Sequence, residues 1–176
     1  MKNFFEPEYV IEVADSQLGM KSILVIDNTV LGPGKGGIRM TPTVTTEEVK
    51  RLARTMTWKN ALAGLPFGGA KAGMVWSGTD PKQKQAQVQS FARALKPFLI
   101  KKYVAGPDVN SGEREMAWFA GAAGNRRAAT GKPRRLGGLP HELGSTGFGV
   151  AEVVRAVTKI LNLPLANLTV AIDGFG

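Results

Sequence analysis

Three lysines stand in sequence settings that suit the binding of an anion or the transfer of a proton. Lys35 lies in GPGKGGIR, Lys59 in MTWKNAL and Lys71 in PFGGAKAG, so each is embedded in glycine or near a helix terminus. Glycines beside a lysine let the backbone approach a ligand and let main-chain N–H groups face it, which suits a carboxylate or a phosphate. The alternative is that each is an ordinary solvated lysine on a surface loop.

The composition narrows the possible chemistry to a few residue types. The chain of 176 residues contains no cysteine and a single histidine, His141. These counts exclude a disulfide framework, a thiol nucleophile, a cysteine zinc site and a histidine-rich cluster, so we predict no metal site. Proton transfer therefore falls to Lys, Asp, Glu or Tyr, and we interpret His141 as a loop residue.

Charge and hydropathy are those of a soluble globular protein. Lys and Arg number 23 against 14 Asp and Glu, a formal net charge of +9, and 43% of the residues are hydrophobic, which suffices for a core. The basic residues form short pairs without interleaved aromatics, so no nucleic-acid partner is expected, although the net charge keeps that alternative open. Glu6, Pro7 and Glu8 interrupt any signal peptide, and no run approaches the roughly 18 apolar residues of a membrane span. We predict a cytoplasmic protein without a membrane partner.

The elements that must position the lysines alternate between strand and helix. Residues 9–13 and 21–30 carry β-branched and aliphatic side chains on either side of a turn, which predicts a hairpin. The glycine-rich segments LGPGKGGIR and FGGAKAG are predicted as loops, the second running into a short strand. Further strands are predicted at 103–105 and 168–173.

Helices are predicted where capping residues precede apolar residues that recur every three or four positions. Pro97 predicts a kink or break in the second helix, and Ser111 is predicted to cap the third. The alternation of strands and helices favours an α/β sandwich with a mixed sheet. The four predicted helices cover residues 45–63, 81–102, 111–123 and 145–161.

Several long motifs resemble those of a known enzyme family. Between Ile23 and Gly176 the chain contains KGGIRM, TWKNAL, LPFGGAKAG, GPDVN, TGKP, STGFGV and TVAIDGFG. These motifs resemble the N-terminal domain of the glutamate dehydrogenase family, which includes leucine, phenylalanine and valine dehydrogenases. The resemblance implies a mixed, mainly five-stranded sheet flanked by helices. It also implies the reversible oxidative deamination of L-glutamate to 2-oxoglutarate and ammonia, with another amino acid as the alternative substrate.

The resemblance also implies a role for each matching residue. Lys35 corresponds to the lysine that pairs with the side-chain carboxylate of glutamate, and Lys59 to the lysine that binds the α-carboxylate. Lys71 and Asp108 correspond to the catalytic lysine and aspartate, and Thr130 to a threonine beside the substrate. Lysine at position 35 favours glutamate, because a buried ammonium facing an apolar side chain would be an uncompensated charge.

Elementary electrostatics agrees with a Lys71 side chain that can lose its proton near neutral pH. Ammonium groups that share a cleft repel one another and burial disfavours their charge, so the pKa of a lysine can fall from about 10.4 to about 8. Lys71 would then assist the addition of water to the oxidised substrate, and Asp108 would shuttle protons to and from the amine. The alternative for Asp108 is an aspartate that stabilises the start of the next helix.

The last residues resemble the start of a dinucleotide-binding turn. TVAIDGFG is similar to the first strand and first two glycines, Gly174 and Gly176, of a G-x-G-x-x-G turn, and Thr146 corresponds to a threonine near the nicotinamide. We predict a substrate-binding and oligomerisation domain over 1–145, then a linking helix and the first strand of a truncated cofactor domain over 146–176. NAD or NADP is expected in the complete enzyme, and the chain alone is predicted to bind neither tightly and to be inactive.

Family members assemble mainly through this domain, commonly as hexamers, so the resemblance implies a homo-oligomer. A non-catalytic oligomerisation or regulatory subunit is the alternative to a catalytic role. The sequence departs from much of the family at Leu139 and Glu142, where serine and arginine are usual. We interpret this departure as the mark of a subgroup.

Overall fold

The computed structural model of the protein describes residues 6–139 and 144–174. It divides into two compact units, Met1–Leu139 and Pro140–Gly176. The predicted division at residue 145 stays a prediction.

The first unit is built on a mixed sheet of five strands in the order β1-β2-β4-β3-β5. β2 pairs antiparallel with β1 and with β4, whereas β3 pairs parallel with β4 and with β5. The predicted hairpin and the predicted α/β sandwich with a mixed five-stranded sheet are therefore confirmed. The strands are β1 Tyr9–Asp15, β2 Met20–Asn28, β3 Gly34–Thr41, β4 Gly68–Val75 and β5 Tyr103–Gly106.

The helices begin at the capping residues that the sequence offers. Thr45 accepts a hydrogen bond from the amide of Glu48 at the start of α1, and Asp80 accepts one from Lys82 at the start of α2. α2 ends at Ala94, so the break predicted from Pro97 is confirmed, whereas the predicted extension of this helix to residue 102 is wrong. The helices are α1 Thr46–Leu62, α2 Pro81–Ala94, α3 Glu113–Ala123 and, in the second unit, α4 Ser145–Ile160. In the part of the chain that is described, no helix is long and apolar enough to cross a membrane.

The hydrophobic core lies mainly on one face of the sheet. Leu24 and Ile26 of β2 belong to the cluster that contains Phe91 of α2 and Phe119 of α3, whose rings meet edge to face at 6.4 Å. Val25, which points to the opposite face, packs in a smaller cluster with residues of α1. The face beneath α1 is therefore only partly covered by apolar side chains.

Both glycine-rich segments are strands, so their prediction as loops is wrong. A Cβ at Gly69 would collide with Thr57 and Ala53 of α1, and a Cβ at Gly36 would collide with the carbonyl oxygen of Ala70. Glycine is present because the helix and the neighbouring strand approach the backbone closely. A low intrinsic β propensity is outweighed by pairing on both edges of β4.

Two other predictions also fail. Ser111 does not cap α3, which begins at Glu113 after Gly112. The hydroxyl of Ser111 instead donates to the carbonyl of Ile38 at 2.5 Å and accepts from the amide of Asp108 at 2.9 Å. Residues 168–173 form no strand and are exposed, because a strand needs a neighbour for its backbone groups and none of the described strands pairs with them.

Candidate active site

The α1 face of the sheet carries lysine, arginine and glycine where β3, β4 and β5 lie side by side. Because strand residues alternate between faces, Lys35 and Arg39 of β3 share this face with Lys71 of β4. The register places Lys35 opposite Gly69 and Arg39 opposite Gly73, with Lys71 between the two glycines on β4. The strands that sequence analysis interpreted as loops thus form the floor of the candidate site.

Lys71 forms an ion pair with Asp108 at the end of this floor. Lys71 Nζ contacts Asp108 Oδ2, and the two side chains are only 9% and 12% exposed. Asp108 Oδ1 accepts a hydrogen bond from the amide of Val109 at 2.6 Å, and the Ser111 hydroxyl holds the backbone of Asp108. The carboxylate is therefore held in a fixed position beside the ammonium.

Arg39 is a site residue that the sequence analysis missed. Its Nη1 lies 2.6 Å from Glu48 Oε1 of α1, and its Nη2 lies 3.5 Å from Asp108 Oδ1. It links α1 to the Lys71–Asp108 pair. The signal was its position four residues after Lys35, which places both on one face once KGGIRM is treated as a strand.

Lys35 and Thr130 meet at one backbone carbonyl. Lys35 Nζ donates to the carbonyl of Ala105 at 3.0 Å, and the amide of Thr130 donates to the same oxygen at 3.0 Å. A Cβ at Gly106 would lie 2.5 Å from Lys35 Nζ and 3.4 Å from Thr130 Oγ1. Glycine at position 106 therefore makes room for the Lys35 ammonium, which a side chain there would displace.

Burial and mutual repulsion weaken the basicity of two of these lysines. Burial, with the charges of Arg39 and Lys59, lowers the pKa of Lys71 to about 8, and Glu48 opposes this shift. Burial, with the charges of Lys71 and Lys132, lowers the pKa of Lys35 to about 8. The structure thus brings the three lysines predicted from sequence within electrostatic range of one another, with Lys59 exposed in the last turn of α1.

Lys132 is a second residue that sequence analysis missed. It is only 7% exposed, and its Nζ donates to the carbonyl of Ala129 at 2.7 Å. The TGKP motif contained the signal, since this lysine also follows a glycine. From this motif, the sequence analysis assigned a role only to Thr130.

Three predicted residues, Thr146, Gly174 and Gly176, lie in the second unit. Thr146 is exposed in the first turn of α4, and Gly174 has a φ of +92°. Gly176 lies outside the described residues, as do His141 and Glu142. The roles of Thr146, Gly174 and Gly176 therefore stay predictions. Within residues 6–139 and 144–174, no cluster of three His, Asp or Glu residues could hold a metal ion.

The sequence matches one protein family over most of the first unit. Residues 7–125 fit the model of the Glu/Leu/Phe/Val dehydrogenase dimerisation domain. The chain belongs to this family. It is 32% identical over 188 aligned residues to the NAD-specific glutamate dehydrogenase of Peptoniphilus asaccharolyticus, an alignment covering 97% of this chain and 45% of the relative. It is 38% identical over 161 residues to the NADP-specific glutamate dehydrogenase of Saccharolobus shibatae, covering 85% of this chain and 37% of the relative.

Solved structures of the family share the fold. The leucine-bound hetero-hexameric glutamate dehydrogenase of Thermus thermophilus superposes with a TM-score of 0.83 at 28% identity, covering 92% of this chain and 43% of that one. The chain thus spans less than half the length of these relatives. The family relationship accounts for the motifs that the sequence analysis singled out.

The partly buried charge of Lys35 leads to a prediction about stability. Lys35→Met is expected to increase the free energy of unfolding at pH 7 by on the order of 1 kcal/mol, because it removes an ammonium whose folded-state pKa lies near 8 instead of its ordinary 10.5. Urea denaturation at pH 7 measures this gain. Below pH 8 both states of the parent are protonated and the gain is complete, and it disappears as the pH rises towards 10.5.

Lys101→Met, at an exposed lysine, is the matched control and is expected to leave stability unchanged. A destabilising effect of Lys35→Met at pH 7 would contradict the prediction. It would mean that the hydrogen bond to Ala105 outweighs the cost of burying the charge.

Proposed function

We propose that this chain is the substrate-binding and oligomerisation part of an NAD(P)-dependent glutamate dehydrogenase. The reaction converts L-glutamate, NAD(P)⁺ and water into 2-oxoglutarate, ammonium, NAD(P)H and a proton. The observation that carries the proposal is the group of cationic side chains on one sheet face around a single buried pair, Lys71 and Asp108. The similarity to NAD- and NADP-specific glutamate dehydrogenases supports it.

The charge of the site suits a substrate with two carboxylates. Lys59 would bind the α-carboxylate, and Lys35 with Thr130 would bind the side-chain carboxylate beside Gly106. An amino acid with an apolar side chain would leave the Lys35 ammonium buried and unpaired, which disfavours its binding. The substrate class we infer is therefore dicarboxylic.

Lys71 and Asp108 would carry the proton transfers. With a pKa lowered to about 8, part of the Lys71 population is neutral near pH 7.5 and can remove a proton from the water that adds to the substrate imine. Asp108, held against Lys71, would exchange protons with the amine that departs. Arg39 would orient Asp108 through its contact with Oδ1.

NAD or NADP would supply the acceptor for the hydride that leaves the α-carbon. The φ of +92° at Gly174 fits the first glycine of a dinucleotide-binding turn, because this conformation is readily adopted only by glycine. Gly174, Gly176 and Thr146 are the residues of this chain that we infer would hold the cofactor.

We infer that the chain functions in an oligomer of copies of itself. The match to a dimerisation domain supports this inference, as do the exposed Tyr9 and Val10 on β1, one of the two edge strands of the sheet. The similarity to the hetero-hexameric Thermus enzyme supports a second candidate function, that of a non-catalytic subunit that assembles with a different chain. The presence of both Lys71 and Asp108 favours the catalytic role.

Selective binding of dicarboxylic acids tests the proposal directly on the chain. Isothermal titration is expected to give 2-oxoglutarate at least about tenfold tighter binding than 2-oxopentanoate, which has the same chain length without the second carboxylate. The preference is expected to weaken from pH 7 to pH 9, because Lys35, with a pKa of about 8, loses its charge. Lys101→Met serves as the control. Equal affinity for the two acids, or no binding of either, would overturn the proposal.

A further inference from the structure

Lys132 is a buried lysine whose charge has no counter-ion among residues 6–139. It lies between two short 3-10 turns, Arg126–Ala128 and Arg134–Leu136, yet it is only 7% exposed. Its ammonium has three donors, and one of them is used by the carbonyl of Ala129. Among residues 6–139 it forms no ion pair with a carboxylate. Lysines are seldom buried unless their charge is compensated.

Lys35 and Lys132 are held to paired positions of the backbone. Lys35 Nζ donates to the carbonyl of Ala105 and Lys132 Nζ to that of Ala129, and these two alanines form an isolated parallel bridge. The two ammonium groups are close enough that the charge of Lys132 contributes to the lowered pKa of Lys35. Two repelling cations are therefore kept together at some cost in stability.

The Lys35 ammonium lies directly beside Gly106 and near a further hydrogen-bonding group. A Cβ at residue 106 would lie 2.5 Å from Lys35 Nζ, and Thr130 Oγ1 lies 3.4 Å from the same point. Thr130 follows Ala129, whose carbonyl accepts the hydrogen bond from Lys132 Nζ. An anion with two oxygens, placed here, could accept from both ammonium groups and from the hydroxyl.

We propose that Lys132, together with Lys35, binds the second carboxylate of a dicarboxylic substrate and is a specificity-determining residue of this site. The inference rests on the proposed function and adds a residue to it. Lys35 alone would give the carboxylate one ammonium, whereas the pair gives one to each oxygen and fixes its orientation. A carboxylate bound here would also remove the repulsion between the two lysines, so its binding gains free energy that a monocarboxylate cannot recover.

The other explanation is that Lys132 only ties the loop to the carbonyl of Ala129. The two explanations differ in what removal of the charge does. A tether affects stability and alters the binding of both acids alike, whereas a carboxylate ligand affects only the acid that has a second carboxylate.

The test compares the chain with its Lys132→Met and Lys132→Gln variants. Methionine keeps the volume, and glutamine also keeps a donor for Ala129, so at least one variant preserves the loop. Isothermal titration at pH 7 is expected to show about tenfold weaker binding of 2-oxoglutarate by both variants, with the affinity for 2-oxopentanoate unchanged or higher. Lys101→Met is expected to match the parent. NMR titration is expected to show the pKa of Lys35 raised in both variants.

An unchanged preference for 2-oxoglutarate, or an equal loss for both acids, would overturn the role of Lys132 while leaving the proposed function intact. A parent chain that binds the two acids equally, or binds neither, would overturn both proposals. The two failures are therefore distinguishable in a single set of titrations.

Discussion

Replacement of Lys71 by alanine is expected to lower the rate of glutamate deamination by about 10³-fold, within the range that positioned acid–base groups contribute. The change removes the only amine on this face that is both buried and paired with Asp108 in the described part of the first unit. The Asp108 carboxylate would then lose its ion pair with Lys71 and keep its contact with Arg39. The loss is expected in kcat, because Lys35 and Lys59, the residues proposed to bind the two carboxylates, remain.

The measurement uses an enzyme that accepts the cofactor. In the NAD-specific glutamate dehydrogenase of Peptoniphilus asaccharolyticus, we would replace the segment that aligns with this chain by residues 1–176 and follow NADH formation from glutamate. Lys101→Ala is the control for loss of a lysine far from the site and is expected to retain the parental rate. A Lys71→Ala rate within a few-fold of the parent would exclude Lys71 as the base.

The Asp27→Ala variant is expected to lose about 3 kcal/mol of unfolding free energy, as when one partner of a buried ion pair is removed. Asp27 is only 5% exposed on β2, and both of its oxygens lie 2.8 Å from Arg54 Nε of α1. Thr57 of α1 donates a further hydrogen bond to it. Alanine would leave Arg54, which is 22% exposed, without its counter-ion.

Urea denaturation of the chain, followed by circular dichroism, measures this loss. Glu47→Ala is the matched control, because Glu47 is an exposed carboxylate whose ion pair with Lys50 lies on the surface of α1. It is expected to change stability by less than about 1 kcal/mol. Similar losses in the two variants would show that the Asp27–Arg54 pair does not hold α1 to the sheet.

The elements that depend on local sequence were predicted well. Thr45 and Asp80 provide side-chain caps for α1 and α2, and Pro97 prevents α2 from continuing, so short-range chemistry alone indicates where these helices begin or end. The hairpin followed from apolar runs on either side of a turn. The motifs around Lys35, Lys59, Lys71 and Asp108 indicated the family, because long unusual motifs carry information that composition does not.

Tertiary structure decided what the glycine-rich segments become. Gly36 and Gly69 suggest loops because glycine has a low strand propensity, yet both lie in the sheet. Glycine occupies these positions because α1 and the adjacent strand leave no room for a Cβ. Long-range contacts also explain why Ser111, predicted to cap a helix, instead donates a hydrogen bond to the Ile38 carbonyl. Strand formation depends on neighbours that are distant in sequence.

The sequence by itself determined the family, the mixed sheet and the residue types that could do acid–base chemistry. Only the tertiary structure brought Arg39 and Lys132 into the same group of charges, because β3 alternation and the Ala105–Ala129 bridge place them there. The tertiary structure also decided the basicity of Lys35 and Lys71. A lysine has an ordinary pKa until burial and neighbouring cations lower it, and both depend on contacts between segments far apart in the chain.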